Sequence, residues 1–399
     1  MKASEFAKAL NALDAFQIET PSWGFADTGT RFGKFLQDAA AIDIGDKLAD
    51  AGQVHRYTGC CPTVATHVLW DFKPGQAPAE VAKLASKHGV RLGAVNPNVF
   101  QDQQYKFGSV CNRDPGARSD ALKHLLDSVE LAKQLQSKLI SLWFADGSNY
   151  PGQANIRWRK QAMIAALREM HEHMSEDQMM LVEYKPFEPA FYHTDLADWG
   201  MAYLVAKGAG PKAKVLVDTG HHYQSQNIEQ IVAWLLEDEM LGGFHFNDRR
   251  YADDDLTLGS IDPYQVFRIF NEIHLYAWEK GHMPTIPYMI DQSHIDKPKI
   301  EAMVQTAVTA QELYAKAALV DHPQLARHQE RNEQIDAEEC LRDAFAIDVR
   351  PALIEWRKQR DLPAEPLKAF RESGYEKRVA KERKERRIAL GLSGASSYA

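Results

Sequence analysis

The segment Lys214–His222, KVLVDTGHH, is the most informative about the fold, because a short apolar run ends abruptly in an acid, a glycine turn and two histidines. Such a run is typical of a strand that is buried on both faces of a parallel sheet. Similar runs end in polar residues at Met179–Phe187 (MMLVEYKPF), Leu241–Asp248 (LGGFHFND) and Ile286–His294 (IPYMIDQSH). The pattern predicts repeated strand–helix units.

On both sides of this segment, the same alternation of apolar runs and helical patterns predicts eight strands in all. They are Glu19–Phe25, Val64–Leu69, Val90–Asn96, Leu139–Phe144, Met180–Lys185, Val215–Thr219, Gly243–Asn247 and Tyr288–Gln292. Helical patterns lie between them, at Ala79–Lys87, Asp120–Gln136, Gln161–His173, Asn227–Leu236 and Pro263–Ile273. Eight alternating units favour a closed α/β barrel, the (β/α)₈ TIM barrel. A doubly wound open sheet is the alternative, but no GxGxxG follows the first strand.

The chain continues beyond the barrel as a helical extension. Ile300–Ala315 is predicted as the eighth barrel helix, so residues 1–320 form the catalytic domain and residues 321–399 the extension. The segment Lys377–Arg387 is dense in lysine and arginine. We interpret it as a solvated helix or a subunit arm rather than a nucleic-acid site, and the extension as an oligomerisation arm.

Composition narrows the class of protein. The chain has 399 residues, 45% hydrophobic and 26% charged, and a formal net charge of −8, which argues against nucleic acid as the main partner. No apolar stretch has the length of a membrane span, so we predict no membrane partner. The four cysteines contain no CxxC pair, which favours reduced thiols and a cytoplasmic location.

Four predicted strands each carry, at the carboxyl end, an acidic or histidine side chain that can bind a metal ion. Glu183, Asp218, His245 and Asp291 follow each other at intervals of about one strand–helix unit. In a barrel, all such ends meet at one mouth, where polar residues are typical of catalysis. Three carboxylates and an imidazole predict a divalent metal site of mostly oxygen character.

A second ion is suggested by His221 and by the acidic run Asp253–Asp255. Asp253 and Asp255 can face one cation, and Asp218 can bridge two ions about 3.5–4 Å apart. Taken alone, the acidic run is more often a solvated turn. Likewise, Glu183 and Lys185 can form a structural ion pair, and one of the adjacent histidines, His222, must point elsewhere.

Three further residues are predicted to line the mouth. His67 ends the second strand, where substrate contact competes with a structural role. Trp143 ends the fourth strand and can stack on a sugar or belong to the core. Asn96 can bond sugar hydroxyls or cap a turn.

Several motifs together resemble L-rhamnose isomerases of the pseudomonad and rhizobial type, within the xylose-isomerase-like barrels. These are PSWGFADTGTRFGKF, WFADGSNYPGQ, VEYKPFEPAFY, VDTGHH, GGFHFND, the DDD run and MIDQSH. Their order and spacing agree over most of the chain from about Pro21.

The resemblance implies two divalent ions, commonly manganese. One ion takes the four strand-end ligands, and the second takes His221, Asp253 and Asp255 with Asp218 shared. Carboxylates suit Mg²⁺ and Mn²⁺, whereas imidazole widens the choice to Co²⁺ and Zn²⁺. With two histidines among the ligands, we favour Mn²⁺.

The resemblance also implies substrate contacts. Lys185 matches a lysine that contacts O1 of the sugar, His67 a histidine near the ring oxygen, and Trp143 an active-site wall. Trp23 and Phe32 match aromatic residues near the site, the latter offered by a neighbouring subunit of a homotetramer. We name Lys185, His67 and Asp291 as the catalytic residues.

The sequence therefore predicts an aldose–ketose isomerase that acts on L-rhamnose, with L-mannose or D-allose as further aldoses. The predicted route is a two-metal-assisted 1,2-hydride shift, and an enediol route through a carboxylate or histidine base is the rival chemistry. A sugar epimerase on the same barrel is the nearest alternative function. A metal-dependent abasic-site endonuclease and a non-catalytic sugar-binding protein are further alternatives.

Overall fold

Eight parallel strands form the centre of the fold. The computed structural model describes residues 1–27, 35–73, 75–188, 193–250 and 255–392. The strands are hydrogen-bonded in the order β1 to β8. They are β1 Thr20–Pro21, β2 Thr63–His67, β3 Arg91–Asn96, β4 Leu139–Leu142, β5 Met179–Glu183, β6 Ala213–Asp218, β7 Leu241–Phe246 and β8 Tyr288–Ile290. Backbone hydrogen bonds of Glu19 with Tyr288 and Ile290 bring β8 beside β1, so the TIM barrel predicted from the sequence is confirmed.

Helices surround the sheet and continue beyond it. The barrel part holds α1 Ala3–Ala15, α2 Ile44–Thr58, α3 Val68–Asp71, α4 Pro78–Lys87, α5 Pro115–Gln134, α6 Ile156–His173, α7 Trp199–Ala209, α8 Ile228–Glu237, α9 Pro263–Lys280 and α10 Lys299–Ala317. The extension holds α11 His322–Glu330, α12 Gln334–Ala346, α13 Arg350–Lys358, α14 Pro366–Glu372 and α15 Tyr375–Ala389. In addition, 3₁₀ turns cover Ser22–Phe25 and Gln103–Phe107.

Local sequence explains where many of these helices begin. An Asp or Asn side chain accepts a hydrogen bond from the backbone N–H three residues on, which satisfies one of the donors that the first turn leaves unpaired. The residues that cap helices in this way are Asp43, Asp114, Asn155, Asp198, Asn227, Asp262 and Asp321.

Two apolar layers hold the barrel together. Inside the ring of strands, Ala65, Ala94, Leu181, Leu216 and Met289 form a small buried cluster. Outside the ring, the other face of the strands packs on the barrel helices in one large core. Burial on both faces explains why these strands lack the alternating pattern of half-exposed strands.

Several predicted strands end earlier in the structure. The first is reduced to Thr20–Pro21, because the chain turns into a 3₁₀ helix at Ser22. The second ends at His67, where α3 begins, and the fourth, fifth and eighth end at Leu142, Glu183 and Ile290. Trp143, Lys185 and Asp291 therefore lie just after their strands, in the loops that form the mouth.

The extension packs on its own barrel. Its α13 joins α1 and α10 in an apolar cluster in which Trp356 also donates a hydrogen bond to Asp14 at 2.8 Å. The interpretation of Lys377–Arg387 as a solvated helix is wrong for part of its surface, because Arg383 and Arg387 are buried. Their partners are aspartates and carbonyl groups of the barrel, far away in sequence.

The four cysteines are free, in agreement with the sequence. Within the part of the chain that the structure describes, no helix is long and apolar enough to cross a membrane.

Candidate metal centre and substrate cleft

A cleft of about 380 Å³ opens at the carboxyl ends of the strands. One side is aromatic, with Trp23, Trp70, Phe100 and Trp143, and the floor is charged. Pockets for small molecules have this combination of an apolar wall and a few convergent polar groups. Most of the residues predicted from strand ends thus lie in a single cleft.

Three of the four predicted strand-end ligands line the charged floor, and the fourth, Asp218, is buried directly beside them. One ligand atom from each of Glu183, Asp218, His245 and Asp291 lies within 4.8 Å of all the others. The Nδ1 atom of His245 is 3.4 Å from Glu183 Oε2, 3.6 Å from Asp291 Oδ2 and 3.9 Å from Asp218 Oδ2. Glu183, Asp218 and His245 are buried, and Asp291 is half-buried.

These distances fit a shared cation better than direct hydrogen bonds. His245 Nδ1 is buried and makes no hydrogen bond within the described residues, although three carboxylate oxygens lie 3.4–3.9 Å away. Ligand atoms about 2.1 Å from one divalent ion lie about 3.0–3.5 Å from each other. Because buried polar atoms are normally paired, the group has both the composition and the spacing of a metal site.

The electrostatics of the group also favour a cation. Burial, followed by the charges of Glu183 and Asp291, raises the pKa of Asp218 well above its ordinary value. Burial lowers the pKa of His245, but the nearby carboxylates of Glu183, Asp291 and Asp218 more than offset this and raise it to about 10. Three carboxylates so close together are stabilised by a positive charge among them.

Asp218 is held in place by its own turn and by β7. Its Oδ1 accepts hydrogen bonds from the Gly220 N–H at 2.7 Å and from Asn247 Nδ2 at 3.1 Å. A Cβ atom on Gly220 would lie 2.5 Å from Asn247 Oδ1, so any larger residue here would displace the Asn247 side chain. Asn247 also donates to the Asp291 carbonyl at 3.0 Å, and it therefore links two ligand strands.

His221 has one defined tautomer. Its Nδ1 is 2.9 Å from the Tyr184 carbonyl, which only accepts, so the proton lies on Nδ1 and Nε2 carries a lone pair. Nε2 is 3.9 Å from Asp218 Oδ2. Burial, followed by the charge of Lys185, lowers the pKa of His221 well below its ordinary value, which keeps the ring neutral.

Asp255 also lines the cleft. Its backbone has a φ of 50°, in the left-handed region that aspartate visits more readily than most residues. Asp253 lies outside the described residues. His222 faces away from the ligands, as expected from the sequence, and its Nε2 lies 2.6 Å from the Tyr184 hydroxyl.

Lys185 reaches the cleft from the loop after β5. Its Nζ donates to Glu188 Oε2 at 2.6 Å and lies 5.0 Å from the centre of the Trp143 ring. The Trp143 ring in turn meets Phe100 edge-on at 4.7 Å. Sequence reasoning missed Glu188, although its spacing of three residues from Lys185 was a possible signal.

His67 belongs to the aromatic side of the cleft. Its ring lies 3.8 Å from the Trp70 ring and 5.9 Å from the Trp23 ring, measured between centres. Burial, with the charge of Lys47, lowers the pKa of His67 to about 3, so the imidazole is neutral. Asn96 lines the same side and donates to the Thr66 carbonyl at 3.0 Å. Phe32 lies outside the described residues.

Trp23 has a contact that the sequence did not reveal. Its indole Nε1–H donates to Asp291 Oδ1 at 2.8 Å, across 268 positions of sequence. The tryptophan therefore orients one of the four carboxylates and lines the cleft at the same time.

A second acidic group has a structural explanation. Cys111, Asp146 and Asp195 also lie close enough together to suggest a metal site. However, Asp146 accepts hydrogen bonds from the backbone N–H groups of Ser109 and Cys111, and Asp195 is paired with Arg159 at 2.7 Å. This network fixes the loops after β3 and β4.

The chain is similar to known proteins of one family. Residues 57–282 match the family described as xylose isomerase-like TIM barrel. A probable sugar isomerase of Rhizobium meliloti is 41% identical over 92% of this chain and 86% of its own length. One of Mesorhizobium japonicum is 39% identical over 93% of this chain and 87% of its own length. Among solved structures, the IOLI protein with a bound zinc atom shares the fold, with a TM-score of 0.52 at 12% identity, over 76% of this chain and 99% of that one.

Proposed function

Because the chain belongs to the xylose isomerase-like TIM barrel family, we propose that it is a metal-dependent aldose–ketose isomerase with L-rhamnose and L-rhamnulose as its preferred pair. The observation that carries this proposal is the group Glu183, Asp218, His245 and Asp291, with Lys185 in the same cleft. L-Mannose and D-allose are the further aldoses that we expect it to accept. The named relatives support sugar isomerisation in general, and the choice of rhamnose rests on the motif resemblance.

The proposed cofactor is a pair of divalent ions, with Mn²⁺ preferred over Co²⁺, Zn²⁺ and Mg²⁺. Glu183, Asp218, His245 and Asp291 would hold the first ion. The lone pair on His221 Nε2, together with Asp218 and Asp255, supports a second site beside it. Asp253 completes that set in the proposal.

When bound, the divalent ions supply Lewis acidity that polarises the sugar carbonyl. The residues of the chain contribute binding, orientation and charge. Lys185 donates a hydrogen bond to O1 and stabilises the negative charge that develops there. Glu188 and the Trp143 ring fix the position of its ammonium group.

The aromatic side of the cleft orients the sugar and excludes water. Trp23, Trp143 and neutral His67 contact the sugar, and Asn96 bonds a hydroxyl. In the proposed route, hydrogen moves from C2 to C1 with its electron pair, while the proton on O2 passes to O1. Both transfers are internal to the sugar, so no external oxidant or reductant is required.

The first test is an isomerisation assay. Metal-stripped protein is incubated with L-rhamnose, with and without Mn²⁺, and the ketose is followed beside D-allose, L-mannose and D-xylose. We expect Mn²⁺-dependent ketose formation, mainly from L-rhamnose. Metal-bound protein that makes no ketose from any of these aldoses would sink the isomerase proposal and place a sugar epimerase first.

A matched pair of variants tests the role of Lys185. K185M is expected to lower kcat at least 100-fold, because it removes a charge-assisted hydrogen bond to the reacting oxygen. K138M makes the same substitution near the start of β4, on an exposed lysine at the opposite end of the barrel. It should keep wild-type activity, and equal activity of both variants would contradict the proposed role.

The choice between the hydride shift and the enediol route is tested in D₂O. A hydride shift carries the C2 hydrogen to C1 without exchange, so the product ketose should contain little deuterium at C1. Substantial incorporation would instead favour a carboxylate or histidine base.

We also propose that the protein is a cytoplasmic homotetramer in which residues 321–399 contribute to the subunit contacts. Exposed apolar side chains on the outer surface of the extension, such as Ile335, Ile354 and Ile388, support this proposal. Light scattering coupled to size exclusion should give four times the chain mass of 45.0 kDa. A monomeric mass would contradict it.

A further inference from the structure

The basic helix α15 is attached to the barrel by arginine side chains. Arg383 pairs with Asp50 at 2.7 Å, and both side chains are buried. Arg386 pairs with Asp43 at 2.6 Å and with Asp46 at 2.9 Å, at the start of α2. These contacts explain why the helix is docked, but they do not reach the cleft.

Arg387 makes a different set of contacts. Its guanidinium donates to Asp27 Oδ2 at 2.8 Å and to the carbonyl oxygens of Gln37, Asp38 and Ala40 at 2.8, 3.1 and 2.6 Å. The side chain is buried, with 8% of its surface exposed. The Arg387 guanidinium therefore joins the segment that follows Trp23 to the segment that begins near Gln37.

Gln37 extends this connection to the loop after β8. Its backbone N–H donates to Asp27 Oδ1 at 3.0 Å. Its side-chain Nε2 donates to the carbonyl oxygens of His294 and Lys297 at 3.2 and 3.0 Å. Lys299 donates to the same His294 carbonyl at 2.5 Å.

The loop after β8 belongs to the candidate site. Asp291 is one of the four grouped ligands, and Ser293 lines the cleft. On the other side of the connection, Trp23 lines the cleft and donates to Asp291. Arg387 is thus linked through Asp27 and Gln37 to two neighbouring walls of the cleft, where β1 and β8 meet.

We propose that Arg387 is a positioning residue for the cleft: from the C-terminal helix it fixes the loops after β1 and β8 that present Trp23, Asp291 and Ser293. Its expected effect on catalysis rests on the proposed function, whereas its effect on loop order does not. Arginine suits this role because its planar fork bonds several acceptors at once, which a lysine cannot reproduce. A shift of about 1 Å in such walls is enough to misplace a bound sugar and weaken its contacts with them.

The test compares R387Q and R387K with R386Q. Arg386 lies on the same helix and forms ion pairs with the barrel, but its partners are Asp43 and Asp46, not Asp27 or Gln37. R386Q therefore controls for a general weakening of the attachment of α15. Amide hydrogen exchange, followed by mass spectrometry on peptides covering residues 293–299, reports loop order without requiring any activity.

We expect exchange in residues 293–299 to be at least fivefold faster in R387Q than in the wild type, intermediate in R387K and unchanged in R386Q. In the isomerisation assay, KM for the aldose should rise about tenfold in R387Q, with kcat changed less than threefold. Wild-type exchange in R387Q, or equal acceleration in R386Q, would overturn the proposal. Faster exchange in R387Q alone supports it even if no aldose proves to be a substrate, and in that case only the proposed function fails.

Discussion

Replacing Trp23 by phenylalanine should weaken metal binding although Trp23 is not one of the proposed ligands. The substitution keeps an aromatic ring beside His67 but removes the indole N–H that donates to Asp291 Oδ1 at 2.8 Å. A hydrogen bond to a charged group contributes about 1.5–3 kcal/mol, which corresponds to a change in Kd of about 10- to 150-fold. Changes in partners that orient metal ligands typically cost about 10- to 100-fold in affinity, which is the same range.

Titration calorimetry of metal-stripped W23F with Mn²⁺ measures this loss directly. W70F is the matched control, because Trp70 lines the same cleft but its indole donates to Gln101 at 2.9 Å rather than to a ligand. Its Kd for Mn²⁺ should stay within twofold of the wild type. A W23F protein that keeps the wild-type melting temperature and binds Mn²⁺ with unchanged affinity would refute the argument that this hydrogen bond orients Asp291.

Three other substitutions have defined expectations. D218N should abolish tight Mn²⁺ binding in calorimetry, yet raise the free energy of unfolding of the metal-free protein by about 1–2 kcal/mol, because it removes one of three crowded carboxylates. Burial raises the pKa of Glu272 to about 7, so the folded protein loses stability as pH rises from about 4.5 through 7. E272Q should remove this loss: in urea titrations, the variant should be more stable than the wild type by about 1–3 kcal/mol at pH 8 and equally stable at pH 4.5. R383M should lose about 3–5 kcal/mol of stability in the same titrations, because it leaves Asp50 buried without its main cationic partner. R386M should lose about 1 kcal/mol or less, because the Arg386 side chain is 42% exposed.

The barrel architecture and the group of charged residues at its mouth follow from the amino-acid sequence alone. Buried parallel strands have a local signature, a short apolar run that ends in polar residues, and this signature placed a strand close to each of the eight observed positions. Once a barrel is inferred, its symmetry brings all strand ends to one mouth. For this reason Glu183, Asp218, His245 and Asp291 were predicted to meet without any knowledge of side-chain positions.

The contacts that hold these groups in place depend on the packing of the folded chain. The hydrogen bond from Trp23 to Asp291, the two contacts of Asn247 and the four contacts of Arg387 join residues that are far apart along the chain. No local pattern encodes such a pair, since a tryptophan or an arginine in sequence has many equivalent acceptors. Which one it meets depends on how the helices and loops pack, and this also explains why part of the basic segment is buried rather than solvated.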